Sequence, residues 1–225
     1  MFDFIKSALL MIDVQNDFCP AYTARSGKKR PSGALALTAG DAVVDPLNRL
    51  AEQCAGAGGK VIATADWHPP DHASFAASHP GLKPGDTVDL PGVTGQVLWA
   101  AHCVQGSEGA RFHDRLKLNP VHCILRKGFR RDLDSYSAFF ENDRRTPTGL
   151  DGFLKGLGIT ALLLGGLATD YCVLYSALDA ARLGYRTIVL TDAVQGLGYP
   201  AGSVERAFET MKAAGVVLQH SGDIL

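Results

Sequence analysis

Short apolar runs alternate with helix-forming segments along this chain, and that alternation restricts the fold more than any other feature of the sequence. The apolar runs cover residues 8–12, 61–65, 121–125, 161–164, 187–190 and 216–218. Segments with helical spacing of apolar residues occupy 41–55, 150–157, 173–178 and 203–214. Strands joined by helices pair in parallel and are covered on both faces. We therefore predict an α/β fold: a doubly wound, mainly parallel, six-stranded sheet with helices on both faces.

The length of 225 residues suits one large domain, and we expect residues 1–225 to form a single domain without a linker. Residues 20–40 are rich in glycine, serine, lysine and proline, and are predicted to form a loop. Residues from about 67 to 110 carry many prolines, glycines and histidines and show little periodicity. So long an irregular stretch inside a domain usually serves a function.

Net charge, hydropathy and the absence of certain motifs argue against several classes of partner. A net charge of −1 gives no electrostatic reason to expect nucleic acid or an anionic membrane surface. No apolar stretch approaches the length of a membrane span, and no signal peptide is visible. Motifs for dinucleotide or P-loop phosphate binding are absent from the sequence. Five cysteines, an odd number without a Cys-x-x-Cys pair, favour a protein of the reducing cytoplasm.

Cys172 follows an apolar run and a small-residue turn, and is predicted to lie in the first turn of a helix. Thr169 or Asp170 is expected to cap that helix. The positive end of the helix dipole would stabilise a thiolate there, in the crevice where open α/β sheets bind ligands. A packed core cysteine is an equally good interpretation of this stretch alone, because free cysteines are often buried.

Polar side chains also end three other predicted strands: Asp13, Asp66 and Lys127. The carboxyl ends of parallel strands meet at one edge of the sheet, so these groups can converge with Cys172. A carboxylate can take the thiol proton, and an ammonium can stabilise the developing negative charge. We therefore predict catalysis by Asp13, Lys127 and Cys172. The alternative is an ordinary ion pair beside a buried cysteine.

A second group of polar residues is typical of a metal site. Asp66 and His68 share one face of a strand end, and His102 is a plausible third ligand. Such a set leaves coordination positions open for water and substrate. The alternative is that these histidines are loop residues bonded to the backbone, which is the interpretation we give to His72 and the remaining histidines.

Several segments together resemble the nicotinamidase branch of the isochorismatase-like cysteine hydrolases, which deamidate nicotinamide to nicotinate in NAD salvage. They lie at residues 11–18, 66–75, 102–106, 127–139 and 165–173, and so span almost the whole chain. Each segment alone is weakly specific, whereas the combination is highly specific. The resemblance implies an isochorismatase-like fold and an amidohydrolase that acts on a linear amide, with pyrazinamide as a further substrate.

The resemblance also implies roles for individual residues. Asp13 is the base, Lys127 its electrostatic partner and Cys172 the nucleophile that forms a thioester. One divalent ion is implied, Zn²⁺ ahead of Mn²⁺ or Fe²⁺, and its expected ligands are Asp66, His68 and His102, with Ser74 as a further contact made directly or through water. A cis peptide between Leu167 and Ala168 is expected, and the N–H groups of Ala168 and Cys172 would form the oxyanion hole. The expected aromatic walls for the pyridine ring are Phe18, Trp99 and Tyr136.

Two departures from the family pattern are visible. Residues from about 22 to 32 are inserted before residues 33–35, and would reshape either the entrance or an oligomer contact. Ala100 and Ala101 stand where relatives carry Pro-Asp, which removes a carboxylate near His102. The oligomeric state is left open, a homo-oligomer included. The competing functions are another hydrolase of the superfamily, acting on a ureido or N-carbamoyl amide, and a non-catalytic binding protein.

Overall fold

Six strands form one parallel sheet in the computed structural model, which describes residues 3–224. The ten strands are β1 (Ser7–Ile12), β2 (Tyr22–Thr23), β3 (Lys29–Arg30), β4 (Lys60–Asp66), β5 (Thr87–Leu90), β6 (Val93–Val97), β7 (Cys123–Lys127), β8 (Ala161–Leu167), β9 (Arg186–Gln195) and β10 (Val217–Gln219). The α-helices are α1 (Val44–Gly56), α2 (Leu150–Gly156), α3 (Leu174–Arg182) and α4 (Ser203–Ala213). The sheet order is β10-β9-β8-β1-β4-β7, which confirms the predicted α/β architecture.

The two faces of the sheet carry separate hydrophobic cores. Alternate residues of β1 point to opposite faces, so Leu9 packs with Leu47 and Leu50 of α1, whereas Leu10 packs with Leu150 of α2 and Ala177 of α3. Every one of these side chains is at most 1% exposed. Fully burying a leucine stabilises a fold by about 1.5–3 kcal/mol, which explains why the apolar runs became central strands.

The order of the strands places a crevice at the end of β1. From β1 the chain builds β4 and β7 on one side, then returns to add β8, β9 and β10 on the other side. All neighbouring pairs are parallel, so the strand ends lie at one edge of the sheet. A reversal of this kind opens the ligand-binding crevice of doubly wound sheets, here between β1 and β8.

Two small antiparallel hairpins lie outside the sheet. The hairpin β2–β3 occupies the inserted segment, and its Arg30 donates to both oxygens of Asp114 at 2.7 and 3.0 Å and contacts Glu108. The Tyr22 hydroxyl donates to Asn16 Oδ1 at 2.7 Å. The insertion therefore packs on neighbouring loops of its own chain. The hairpin β5–β6 provides regular structure within the otherwise irregular region at 67–110.

The helix after β8 begins differently from the prediction. Residues Thr169–Val173 form a π-helical turn, and α3 begins only at Leu174. Neither Thr169 nor Asp170 caps it: the preceding residue is Ala168, and no side chain makes the capping bond. The expected cap was wrong because the Asp170 carboxylate is used elsewhere, by the N–H groups of Leu197 and Gly198.

Two strand boundaries differ from the predicted ones. β9 runs to Gln195, well past the predicted end at 190. β7, predicted to begin at 121, begins at Cys123, because the Val121 N–H donates to the Leu118 carbonyl in a turn. Among residues 3–224, no helix is long and apolar enough to cross a bilayer.

Candidate active site

Lys127 joins the polar groups at the strand ends. Its Nζ lies 2.9 Å from Asp13 Oδ2, 2.5 Å from Asp66 Oδ1 and 3.4 Å from Cys172 Sγ, and it donates to the Ser135 carbonyl at 2.8 Å. The Lys127 and Asp13 side chains are fully buried. The structure therefore brings together the three side chains that were predicted to be catalytic.

Asp13 is held in place by a strained turn and by β4. Its φ of 49° lies in the left-handed region, where aspartate is tolerated better than most residues. Its Oδ1 accepts from the Thr64 hydroxyl at 2.6 Å, and its N–H donates to the Thr64 carbonyl. Burial, opposed by the charge of Lys127, raises the pKa of Asp13 to about 6. A carboxylate of that pKa is well matched to general base catalysis near neutral pH.

The sulfur of Cys172 is protonated in this environment. Burial raises the pKa of the thiol well above its usual value, and the carboxylates of Asp13 and Asp66 add to the rise, against the charge of Lys127. The expectation of a resting thiolate at the helix start is not supported by this rise in the pKa. Because loss of water and the nearby carboxylates disfavour the thiolate, the thiol needs a base to ionise it.

Asp66 faces two groups at once. One oxygen is bound to Lys127, while the other, Oδ2, faces His68 and His102. Burial alone would favour the neutral acid, but the Lys127 ammonium and His68 hold the pKa of Asp66 well below its usual range. Asp66 is therefore an anion at neutral pH.

Two histidines complete a donor group with Asp66. The Nδ1 atoms of His68 and His102 donate to the carbonyls of Gly128 and Ala100, each at 2.8 Å, so in the neutral ring each Nε2 carries the lone pair. These Nε2 atoms lie 3.7 and 3.9 Å from Asp66 Oδ2, too far for hydrogen bonds. Despite burial, the carboxylates of Asp66 and Asp134 raise the pKa of His68, so positive charge is favoured at this point, and three possible ligand atoms within 4.8 Å of one another fit a divalent cation.

The surroundings of His102 favour metal binding. Burial lowers its pKa to about 4, so the ring is neutral and able to bind a metal. Its ring is oriented by a backbone carbonyl, that of Ala100, and not by a side chain. The replacement of Pro-Asp by alanines therefore leaves orienting support for His102 in place.

Sequence reasoning missed two residues beside this group. His72 was expected to be an ordinary loop residue, but it forms a second buried donor group with His68 and Asp134. Its Nε2 is buried without a hydrogen-bond partner, and its Nδ1 lies 2.7 Å from the Ser74 hydroxyl. The spacing His68-x-x-x-His72 was the available signal. The role of Ser74 stays a prediction.

A cavity opens beside the sulfur. It measures about 430 Å³, counting the space at its mouth. The predicted residues that line it are Phe18, Trp99, Tyr136, Ala168, Cys172, Asp66, His68 and His102. Lining residues that the sequence did not indicate are Leu35, Leu37, Asp134, Tyr171 and Leu197. The walls are therefore mainly aromatic and aliphatic, with a small set of polar residues among them.

The turn before Cys172 has the geometry that the resemblance implied. The peptide between Leu167 and Ala168 is cis. The Ala168 carbonyl accepts from the N–H groups of Tyr171 and Val173, both at 3.1 Å. The proposed oxyanion hole, built from the N–H groups of Ala168 and Cys172, remains a prediction.

Comparisons with known proteins identify the family. A model of the isochorismatase domain matches residues 7–222. The chain belongs to the isochorismatase family. An isochorismatase-family relative, the nicotinamidase of Escherichia coli, is 44% identical over 216 residues, which cover 96% of this chain and 95% of that protein. The predicted resemblance to nicotinamidases is thereby confirmed.

Solved structures of the isochorismatase family agree with the fold. An Acinetobacter baumanii nicotinamidase is 43% identical with a TM-score of 0.88, covering 98% of this chain and 99% of that one. A Pyrococcus horikoshii pyrazinamidase, solved in complex with zinc, is 30% identical with a TM-score of 0.73, covering 96% and 99%.

Proposed function

We propose that this chain is an amidohydrolase that converts nicotinamide to nicotinate and ammonia, in NAD salvage. The observation that carries the proposal is the buried contact of Lys127 Nζ with Asp13 and with the Sγ of Cys172, a residue that lines an aromatic-walled cavity. Relatives that are more than 40% identical over nearly the whole chain are nicotinamidases. Pyrazinamide, a similar flat aromatic amide, is proposed as a second substrate.

The first half of the reaction transfers the acyl group to sulfur. Asp13, with its pKa near 6, takes the proton of the Cys172 thiol, and the sulfur attacks the carboxamide carbon. The charge that develops on the carbonyl oxygen is stabilised by the N–H groups of Ala168 and Cys172. Asp13 then gives its proton to the leaving nitrogen, which departs as ammonia and leaves a thioester.

The second half returns the free enzyme. Asp13, again a carboxylate, takes a proton from water, and the resulting hydroxide attacks the thioester carbon. The carbon–sulfur bond breaks, Asp13 returns its proton to the Cys172 sulfur, and the product leaves as nicotinate after releasing its acid proton to solvent. Lys127 remains charged throughout, because its pKa is held well above the usual range by Asp13, Asp66 and Cys172 despite burial.

The pocket suits a small neutral aromatic ring. Phe18, Trp99 and Tyr136 provide flat apolar surfaces, and the Trp99 indole N–H fixes the Tyr136 hydroxyl at 3.1 Å. A divalent ion on Asp66, His68 and His102 would supply positive charge that orients and polarises the ring. We propose zinc ahead of manganese or iron, and all three accept this donor set.

An ammonia-release assay tests the proposal. Purified protein, with its metal content measured, is offered nicotinamide, pyrazinamide, a ureidoacrylate and N-carbamoylsarcosine. We expect the highest kcat/KM with nicotinamide and release with pyrazinamide. Preferred release from a ureido or N-carbamoyl substrate would favour the alternative function, another hydrolase of the family. No release from any of them would favour a binding protein.

The setting of the protein is also a proposal. All five cysteines are free thiols, which suits a reducing, cytoplasmic location. A homo-oligomer stays a prediction that light scattering of the purified protein would test.

A further inference from the structure

The Asp170 carboxylate lies two residues before Cys172 and connects two parts of the chain. Asp170 is 6% exposed. Its oxygens accept from the N–H groups of Leu197 and Gly198, both at 2.9 Å, and from the Ser203 hydroxyl at 2.5 Å. All three donors belong to residues 196–203, the β9–α4 loop together with the first residue of α4.

A second tether joins the same turn to the same loop. The Tyr171 hydroxyl donates to the Tyr199 carbonyl at 2.8 Å. The loop makes a further contact at Gly85. The Tyr199 phenol lies over this glycine, where an added Cβ would come within 2.6 Å of the phenol oxygen. Two consecutive residues of the nucleophile turn, Asp170 and Tyr171, therefore hold the β9–α4 loop along its length.

The loop forms part of the cavity wall. Leu197 lines the cavity together with Tyr171 and Cys172. Leu197, whose backbone N–H donates to Asp170, is therefore also part of the cavity wall. The β9–α4 loop is bonded to the turn that carries Cys172. The distance from this part of the wall to the sulfur is therefore set by the turn as well as by the sheet.

A carboxylate suits this connection for a physical reason. Three donors converge on one buried group, and hydrogen bonds to a charged acceptor are about twice as strong as neutral ones. Without that acceptor, the backbone N–H groups of the half-buried Leu197 and of the exposed Gly198 lose their partner. Glycines on both sides of Leu197, at 196 and 198, give that part of the loop more backbone freedom than other residues would.

We propose that Asp170 is a positioning residue that holds the β9–α4 loop closed over the cavity, so that Leu197 contacts the bound substrate beside the Cys172 sulfur. The loop then sets how tightly substrate is held and how freely solvent reaches the thiol. The substrate part of this inference rests on the proposed amidohydrolase function. The closure of the loop stands on the hydrogen bonds alone.

Asp170→Asn tests the proposal, because the amide keeps the shape but presents donors where donors already lie. Without substrate, we expect iodoacetamide to alkylate Cys172 at least about fivefold faster, the size of one lost hydrogen bond, with the site located by mass spectrometry. Hydrogen exchange at Leu197 and Gly198 should accelerate, while that of the β1 amides stays unchanged. With nicotinamide, KM should rise about fivefold or more and kcat should stay within about threefold.

Two further variants keep the test decisive. Ser203→Ala removes one donor and leaves the carboxylate paired, so it should fold and shift alkylation in the same direction by a smaller factor. Glu205→Gln, on the exposed side of α4, should shift nothing. Unchanged alkylation and exchange in both Asp170→Asn and Ser203→Ala would overturn the proposal, as would a lower kcat at constant KM. These substrate-free measurements do not depend on nicotinamide being the substrate, so their failure is distinct from failure of the proposed function.

Discussion

Lys127 is the residue that links the thiol to the proposed metal ligands. Its single ammonium is shared between Asp13, which faces the sulfur, and Asp66, which faces the histidines. A change in the charge of Asp13 therefore alters the electrostatic environment of Asp66, and a change at Asp66 alters that of Asp13. This arrangement explains why two buried carboxylates can lie together without either one being expelled or neutralised.

Replacing Cys172 by alanine should abolish turnover without unfolding the protein. The side chain is buried, but its partner Lys127 keeps three oxygen acceptors. We expect ammonia release to fall by a factor on the order of 10⁴ or more, because the thioester can no longer form. Cys123→Ala is the matched control, because Cys123 lies at the opposite end of β7 from Lys127. This variant should keep its activity. Retained turnover in Cys172→Ala would exclude the covalent mechanism.

Metal removal should lower activity or affinity, and added metal should restore it. Elemental analysis is expected to find about one divalent ion per chain, as the donor set predicts. His102→Ala removes one neutral imidazole and should reduce that content strongly, whereas the exposed His220→Ala should not. Full activity in a sample verified to be free of metal would contradict the proposed role.

Glu141 should make stability depend on pH. The side chain is 2% exposed, its Oε2 has no hydrogen-bond partner, and burial raises its pKa from 4.5 to about 7. The folded state therefore holds this proton more tightly than the unfolded chain. The resulting stabilisation is complete below about pH 4.5 and is lost as the pH rises through about 7.

Urea unfolding of the wild type and of Glu141→Gln at pH 5 and pH 8 measures this effect. We expect the free energy of unfolding of the wild type to fall, relative to the variant, by about 1–3 kcal/mol between the two pH values. The exposed Glu205→Gln should follow the wild type. A constant difference between wild type and Glu141→Gln would show that Glu141 does not titrate in this range.

Among the elements, β8 leaves very little space for added atoms near its end. It pairs with both β1 and β9, and its last residues approach β1 closely. Gly166 has a φ of 125°, and a Cβ there would lie 2.0 Å from the Ile12 carbonyl oxygen. Only glycine meets both conditions, and the strand can then deliver Ala168 and Cys172 to the crevice.

Gly166→Ala should therefore be severely destabilising, by more than about 3 kcal/mol, or should prevent folding. Gly152→Ala in α2 is the matched control. An added Cβ there meets nothing within 4 Å, so alanine should stabilise the helix by about 0.5–1 kcal/mol. Urea unfolding and soluble yield compare the two variants. Similar stabilities for both would contradict the close packing of β8 on β1.

At the scale of the whole molecule, the sheet and the meeting of its strand ends were predictable from sequence. Short apolar runs alternating with helices favour a covered parallel sheet, and the carboxyl ends of parallel strands meet at one edge, which accounts for the meeting of Asp13, Asp66 and Lys127 with the turn that carries Cys172. The roles of these residues remain predictions.

Residues that the sequence did not indicate come from loops or irregular turns. Leu197, Tyr171 and Asp134 reach the cavity because tertiary contacts set the course of their segments. The same reason explains the error at Asp170: an aspartate at a helix start satisfies the local rule for a cap, but distant N–H groups compete for it. Local sequence preferences carry no information about long-range competition for a carboxylate.

The neighbouring positions of β1 and β8 have a consequence for synthesis of the chain. Asp13 directly follows β1, whereas Cys172 follows β8, which is synthesised much later, and the two meet only when β8 inserts beside β1. A nascent chain on the ribosome that has not yet supplied β8 thus has the acid without its sulfur. The catalytic group can therefore assemble only after the turn that follows β8 has been made.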